Sequence, residues 1–406
     1  MKVSEPADLA CQSLAAVVAA EARKVHPLTI EIASSCEALA ALGREYERLQ
    51  RVTGNTLPFL THEWHVAWCQ HLLYASGGVQ PRPRIHVLRD AAGTCVGIVP
   101  MVEVSRHVGP LRIVTLELLG ADPAITELRA PLIEPGYERS VARTLQRELG
   151  RTSWDWVHWT GVGGAFGDSL TQEADLESQG AVSAFVMDLP SSWKELRGRL
   201  KRNIRESLRH GYNSLRRDGV EFAFRVASKP QDVGPAIERF LVLHARRASL
   251  EGTTRHGDYF ASAATRGFLG AVCARLAERG AVRVFELVIR GEVVATRIGF
   301  VLGNSLYLYY SGFDPAWARY GVMTTTLAEA IKDAIGHGMS SVNLSTGRDV
   351  SKTRWGPREV VYPQAFQVAR SPLSRAAYNL YRRARNPGTA TSWLDLISRR
   401  ARRRWA

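Results

Sequence analysis

Ser305-Leu-Tyr-Leu-Tyr-Tyr310-Ser-Gly-Phe-Asp-Pro315-Ala-Trp-Ala-Arg319-Tyr-Gly321-Val-Met-Thr324 runs directly into Thr325-Thr-Leu-Ala-Glu-Ala-Ile-Lys-Asp-Ala-Ile335. Leu306–Tyr310 has the apolar and aromatic composition of a buried strand. A Gly-containing loop follows, and Thr324, Thr325 or Thr326 can cap the helix that continues to Ile335. A helix start approached by such a loop has unpaired N–H groups and the positive end of its dipole, a combination that suits a pyrophosphate. Arg319 can add charge-assisted bonds to the same anion. The competing reading is a capped surface helix with nothing bound.

Upstream, Val282-Arg-Val-Phe-Glu-Leu-Val-Ile289 and Val293-Val-Ala-Thr-Arg-Ile-Gly-Phe-Val301 flank Arg290-Gly291-Glu292, a strand–turn–strand pattern. The first half holds a similar hairpin: Arg84–Leu88, a turn at Asp90–Gly93, and Cys95–Pro100. Each hairpin is followed by a helix end, a short buried strand and a Thr-Gly turn, at Leu149–Gly161 and at Ile335–Gly347. These segments align without a gap at an offset of 186 residues (336 − 150), which points to an internal duplication. At 406 residues the chain exceeds the ~250–300 at which one core stops growing, so two related α/β units are expected.

Between the halves, Trp193, Leu196, Leu200, Ile204, Leu208, Tyr212 and Leu215 form an apolar stripe at helical spacing, which predicts one long helix over 191–217. Gly161-Val-Gly-Gly-Ala-Phe-Gly167 looks like a dinucleotide loop, but its third glycine is one position late and no clear opening helix follows; it reads as an ordinary glycine-rich loop.

Of the net charge of +14, residues 191–219 carry nine Lys/Arg against three Asp/Glu (+6), and 370–406 carry ten Arg against one Asp (+9). The rest sums to 14 − 6 − 9 = −1, so two segments hold all the excess. They suit lipid headgroups, nucleic acid or a phosphate-bearing cofactor, or are simply solvated. The Trp393–Ile397 segment ahead of Arg399–Arg404 can lie on an anionic membrane. Five scattered cysteines make neither a metal set nor a disulfide framework, and no run approaches the ~20 apolar residues of a membrane span. A cytoplasmic protein, at most peripheral to the inner face of the membrane, is expected.

Beyond the helix, Ser341–Ser345 reads as a strand leading to Gly347-Arg-Asp349-Val-Ser-Lys352-Thr-Arg354-Trp355-Gly356, where charged groups crowd a strand's C-terminal end. Lys352 and Arg354 suit a phosphate or carboxylate of an acceptor, with Trp355 stacking against it. His244, on a helix with Ile237, Phe240 and Leu241 on the same side, and Asp349 are the candidates for a general base. Their bland readings are a packed core histidine and a loop-stabilising carboxylate. Tyr310 can donate to a leaving thiolate, or pack in the core.

In order, Pro58-Phe59 with Trp64 and Trp68, the basic stretch Trp193–Gly219, Leu243-His244-Ala-Arg-Arg247, Gly312-Phe-Asp-Pro315 and Lys352-Thr-Arg-Trp355 resemble the CelD-like branch of the GNAT acetyltransferase superfamily, related to the FemAB transferases. The resemblance covers about residues 50–370. It implies tandem GNAT-like units, each a mixed, mainly antiparallel sheet flanked by helices. The expected division is a 1–26 extension, a 27–190 unit, a 191–372 acyltransferase unit and a 373–406 basic tail.

The resemblance further implies acetyl-CoA or another acyl-CoA as co-substrate, with its pyrophosphate at Arg319, Gly321, Val322, Met323 and Thr324, and no metal. Transfer would be direct, with the thioester carbonyl polarised by a strand N–H near Tyr310–Gly312. Two departures stand out: Ala318 lies three before the first glycine, where the superfamily has a basic or Gln residue, and Tyr320-Gly321-Val322 replaces the branch's Ser-Pro-Gly.

The implied reaction moves an acyl group to an amine or hydroxyl of a small molecule, sugar or envelope precursor. The alternatives are a Fem-like aminoacyltransferase using charged tRNA, and a silent scaffold in exopolysaccharide assembly. The first half is expected to be a degenerate copy that supplies one wall of the acceptor cleft.

Overall fold

The computed structural model describes residues 25–75, 80–108, 111–122, 124–250 and 256–384. The 1–24 extension, Cys11 and the tail beyond 384 lie outside the described residues.

The first half runs β1 (Thr29–Ala33), α1 (Cys36–Ala40), α2 (Gly43–Thr53), α3 (His62–His71), β2 (Gln80–Arg89), β3 (Cys95–Val108), β4 (Leu111–Leu118), β5 (Leu132–Ile133), α4 (Glu138–Leu149), β6 (Trp156–Thr160), α5 (Gly164–Glu173) and β7 (Glu177–Asp188). The second half opens with α6 (Trp193–Arg199) and α7 (Arg202–Arg217). It continues with β8 (Phe222–Ala227), α8 (Pro230–Ala248), α9 (Ala263–Glu278), β9 (Val282–Ile289), β10 (Glu292–Leu302), β11 (Ser305–Phe313), α10 (Val322–Gly336), β12 (Ser341–Thr346), α11 (Val350–Thr353), β13 (Arg358–Val368) and α12 (Pro372–Ala384).

The expected repeat is visible in this order. Each half has a strand, helices, a three-stranded meander, a helix, a strand parallel to the meander's last strand, a further helix and a closing strand. The parallel pairs are β4–β6 and β11–β12. The halves share one sheet, ordered β1-β2-β3-β4-β6-β13-β7-β12-β11-β10-β9-β8. The closing strands are exchanged: β7 pairs with β12, and β13 pairs with β6. No sheet edge therefore remains between the halves.

Two sequence readings need correction. The 191–217 segment is two helices, because Leu200 is extended at ψ 143° and Asn203 Oδ1 accepts from the Ile204 N–H in a new first turn. Leu196, Leu200, Ile204 and Leu208 still enter a single core. The glycine-rich loop at 161–167 does open a helix, α5. Its glycines serve packing: a Cβ on Gly161 would lie 2.2 Å from the Arg129 carbonyl oxygen, and one on Gly167 2.0 Å from that of Val162.

Side chains alternate along β11, so Tyr307 and Tyr309 enter the core beneath α8 and α9, while Leu306 and Leu308 enter the core beneath α10, α6 and α7. At Gly312 the strand touches α8 itself, since an added Cβ would sit 2.4 Å from the His244 amide nitrogen. The segments 243–247 and 312–315 are thus two sides of one contact. Asp314 accepts from Ala316 N–H, starting the 3-10 turn Pro315–Tyr320, and pairs with Arg246 at 2.7 Å.

Gly312→Ala is expected to cost about 1–3 kcal/mol through overpacking against helix backbone. Gly321→Ala meets no atom within 4 Å and carries only its left-handed cost, about 1–2 kcal/mol. Urea denaturation of the two variants checks this; equal, negligible losses would contradict the contact.

Candidate active site

β11 and β12 pair only over Ser305–Tyr307 and Ser341–Asn343, and then part. Two features bend β12 away. Ser345 takes a left-handed φ of 74°, and the β12–β7 register shifts between Asn343 and Thr346. On the other side, β11 carries a bulge, with Tyr309 and Tyr310 opposite Ile298 alone. From Leu308 onward, β11 has no strand partner on its β12 side.

A loop of the first half reaches this opening. Glu127 accepts from Tyr307 Oη at 2.5 Å and from Ser345 Oγ at 2.8 Å. Tyr309 donates to Ile125 O at 2.6 Å, and Tyr310 donates to Ala124 O. Burial pushes the Glu127 carboxyl above its ordinary value, against the bonds from Tyr307 and Ser345.

α10 starts beside the opening. Gly321 is its N-cap at φ 64°, no side chain caps it, and its first turn holds no acidic residue. Thr324 and Thr325 N–H both bond to Gly321 O, while Val322 and Met323 N–H find no partner among the described residues. The Val322 side chain is buried, so only its backbone can meet a ligand. Arg354 donates to Thr324 Oγ1 at 2.6 Å, joining two residues that the sequence assigned to different ligands. Exposed Arg319 lies over the Tyr320 ring at 4.7 Å, and its carbonyl faces His210 of α7.

His244 is buried, as its apolar neighbours predict. Its Nδ1 lies 3.2 Å from the Ser311 carbonyl, which fixes Nδ1 as the donor and leaves Nε2 an acceptor without a hydrogen bond. Burial lowers its pKa below the ordinary value, opposed by the Ser311 carbonyl and Asp258. Arg247, one helical turn on, donates to Ser311 O and Oγ. Lys352 donates to Thr346 O, and burial lowers its pKa.

Three placements correct the sequence reading. Trp355 is 3% exposed and packs in the core with Leu196, Leu200 and Ile331, so it is no stacking platform. The Tyr310 hydroxyl proton is committed to Ala124 O, and the ring braces the first-half loop. Asp349 caps α11 by accepting from Ser351 N–H. Burial would raise its pKa, but bonds from Ser351 and the nearby Lys352 and His256 hold it below the ordinary value, making it a poor base.

The sequence reading missed Glu127 and Arg297. Nothing local marks Glu127. Arg297 had a signal, as the one charge in the apolar strand Val293–Val301.

In the first half the corresponding features are closed off. At α4 the Glu138 carboxylate accepts from Gly136 N–H at 2.8 Å. Glu117 of β4 pairs with Arg129 at 3.7 Å and His158 at 3.8 Å, where β4 meets β6.

The parted parallel strands and the uncapped helix between them lie within residues 202–353, which match the acetyltransferase (GNAT) domain family. The tandem fold is similar to that of FemX. The FemX crystal structure superimposes with a TM-score of 0.57 at 9% identity, covering 83% of this chain and 98% of that one. A conserved protein of unknown function from Bacteroides thetaiotaomicron gives 0.50 at 12% identity, with 84% and 100% covered. No curated protein matches the sequence.

Glu127→Ala would leave the buried Tyr307 and Ser345 hydroxyls unpaired. The expected loss is about 1–3 kcal/mol, seen as a lower urea midpoint. An unchanged midpoint would mean that the loop does not tie the two halves together.

Proposed function

We propose that the chain transfers an acyl group from acyl-CoA to an amine or hydroxyl of a small-molecule, sugar or envelope precursor. The observation that carries this is the contrast between the two helix starts. In the first half the helix carries Glu138 in its first turn, with the carboxylate taking the Gly136 N–H just before the helix, whereas the first turn of α10 holds no acidic residue and its Val322 and Met323 N–H groups have no partner among the described residues. Those two N–H groups, Gly321 and Arg354 would hold the diphosphate. The open space over Gly321 fits a bulky anion. Bound there, the CoA thioester supplies an activated carbonyl. The unpaired edge of β11 from Leu308 to Gly312 would lie along the pantetheine arm and polarise that carbonyl.

His244 is the base this geometry favours. Ser311 holds its ring, and its Nε2, enclosed in the free protein and 4.0 Å from Asp258 Oδ1, would take the proton of the attacking group once an acceptor displaces its cover. Its lowered pKa keeps it neutral, and so competent, at pH 7.

A second reading, aminoacyl transfer from tRNA, draws on the exposed arginines of α7, which packs against α10 where Gly211 meets Thr325. Membrane contact through 373–406 draws on α12, whose Leu373 and Leu380 are 58% and 69% exposed.

CoA is expected to raise the melting temperature, and Arg354→Ala to weaken its binding by about 10–100-fold. No shift with CoA, together with salt-sensitive tRNA binding, would transfer the reading to tRNA.

The rate of CoA-thiol release with amino- and hydroxy-sugar acceptors should fall toward acid with its half-maximal point below pH 6.5. The base is lost as pH drops through a pKa held under the ordinary 6.5. His244→Gln should lower the rate about 100–10,000-fold and abolish that limb. A limb that survives in His244→Gln would assign the base elsewhere.

A further inference from the structure

Three cationic side chains converge where β11 and β12 part: Arg247 from α8, Arg297 from β10 and Lys352 from α11. Arg297 stands directly opposite Ser311, to which Arg247 donates. Each is largely withdrawn from water, and each disfavours its neighbours' charge. Burial pulls Arg297 down to about 10 with Arg247 adding to the shift; Lys352 is lowered by burial and by both arginines.

Their hydrogen bonds go to neutral groups: Arg247 to Ser311 and His256, and Lys352 to the Thr346 carbonyl. Arg297 makes none among the described residues, and its Nε is fully enclosed without an acceptor. Two other charges withdrawn from water have a counter-charge in contact. Glu286 takes Arg225 and Arg239, and Arg129 takes Glu117. A cation held out of water without a counter-ion opposes folding, so its retention calls for something that compensates.

The carboxylates that face the recess are Glu127, near Lys352, and Asp349, near Arg247, Lys352 and Arg354. With Arg354 assigned to the diphosphate, three cations face two carboxylates, a surplus of 3 − 2 = +1.

We propose that this recess is a second anion site, separate from the one at the start of α10, and that it takes a phosphate group carried by the acceptor. The proposal rests on the reading that the donor's diphosphate lies at Gly321–Met323. A phosphate offers at least three oxygens to the three cationic side chains, where a carboxylate offers two. The planar guanidiniums of Arg247 and Arg297 can each give paired N–H bonds to its oxygens, and Lys352 a point charge. The acceptor is then a phosphorylated compound, such as a sugar phosphate or a nucleoside-diphosphate-linked precursor, whose amine or hydroxyl is presented to the open edge of β11.

The test is a melting-temperature titration of the full chain with inorganic phosphate, against sodium chloride and sodium acetate at matched ionic strength. Phosphate should raise the melting temperature saturably, by about 2–5 °C at a hundredfold excess over its dissociation constant. Acetate should need a higher concentration. With CoA at saturation, so that the start of α10 is filled, the shift should persist in the natural chain and vanish in Arg297→Met and in Lys352→Met.

Free Arg297→Met should melt no lower than the natural chain, since it removes an uncompensated charge. A lower melting temperature for that free variant would make Arg297 a structural residue and overturn the proposal. So would a phosphate shift that either variant retains with CoA at saturation, the absence of any phosphate-specific shift, or a stronger response to acetate. A phosphate shift abolished by CoA would mean that the recess is the diphosphate site and that no second site exists. A phosphate shift with no response to CoA would leave this site standing and remove only the donor reading.

Discussion

Two parallel strands that pair for three residues and then separate are the constraint on which this molecule turns. β12 has to leave β11 because its other edge is pledged to β7, a strand contributed by the opposite half. Ser345 makes the bend in a left-handed conformation that disfavours an ordinary side chain. The bend leaves the far half of β11 as open backbone in the middle of a continuous sheet, where unpaired N–H groups are costly unless something meets them. Glu127 and its loop brace the opening from one side, α8 from the other, and the start of α10 borders it.

The same scaffold occurs twice in the chain, and the copies differ in how they dispose of charge. In the first, the helix carries a glutamate in its first turn, and the charges beside the parallel strands are paired within the fold. In the second, the helix start has no acidic residue in its first turn, and the hydrogen bonds of Arg247 and Lys352 beside the opening go to neutral groups. A protein can keep such unsatisfied groups where ligands supply the missing partners. The first copy supplies a loop to the second copy's opening.

Much of the fold was legible because it rests on local patterns. The two hairpins and the strand before each Thr-Gly turn announced themselves by alternation and by their fixed offset. The exchange of β7 and β13 left no trace in the sequence, since either strand could close either sheet with the same side chains. The site divided in the same way. Gly321, Thr324, His244 and Arg354 follow from local pattern or family resemblance. Glu127 could not be found, since it acts across 180 residues of chain on Tyr307. Trp355 misled, because a tryptophan beside charged residues looks like a platform when the strand end it follows is in fact tucked into a core.

A crystal structure of the chain with bound CoA tests this account most directly. The account predicts diphosphate density against the Val322 and Met323 amides, within reach of Arg354, and the pantetheine arm running along β11 beyond Tyr307. CoA seated at the start of α4, or no CoA between β11 and β12 with CoA in excess, would contradict it.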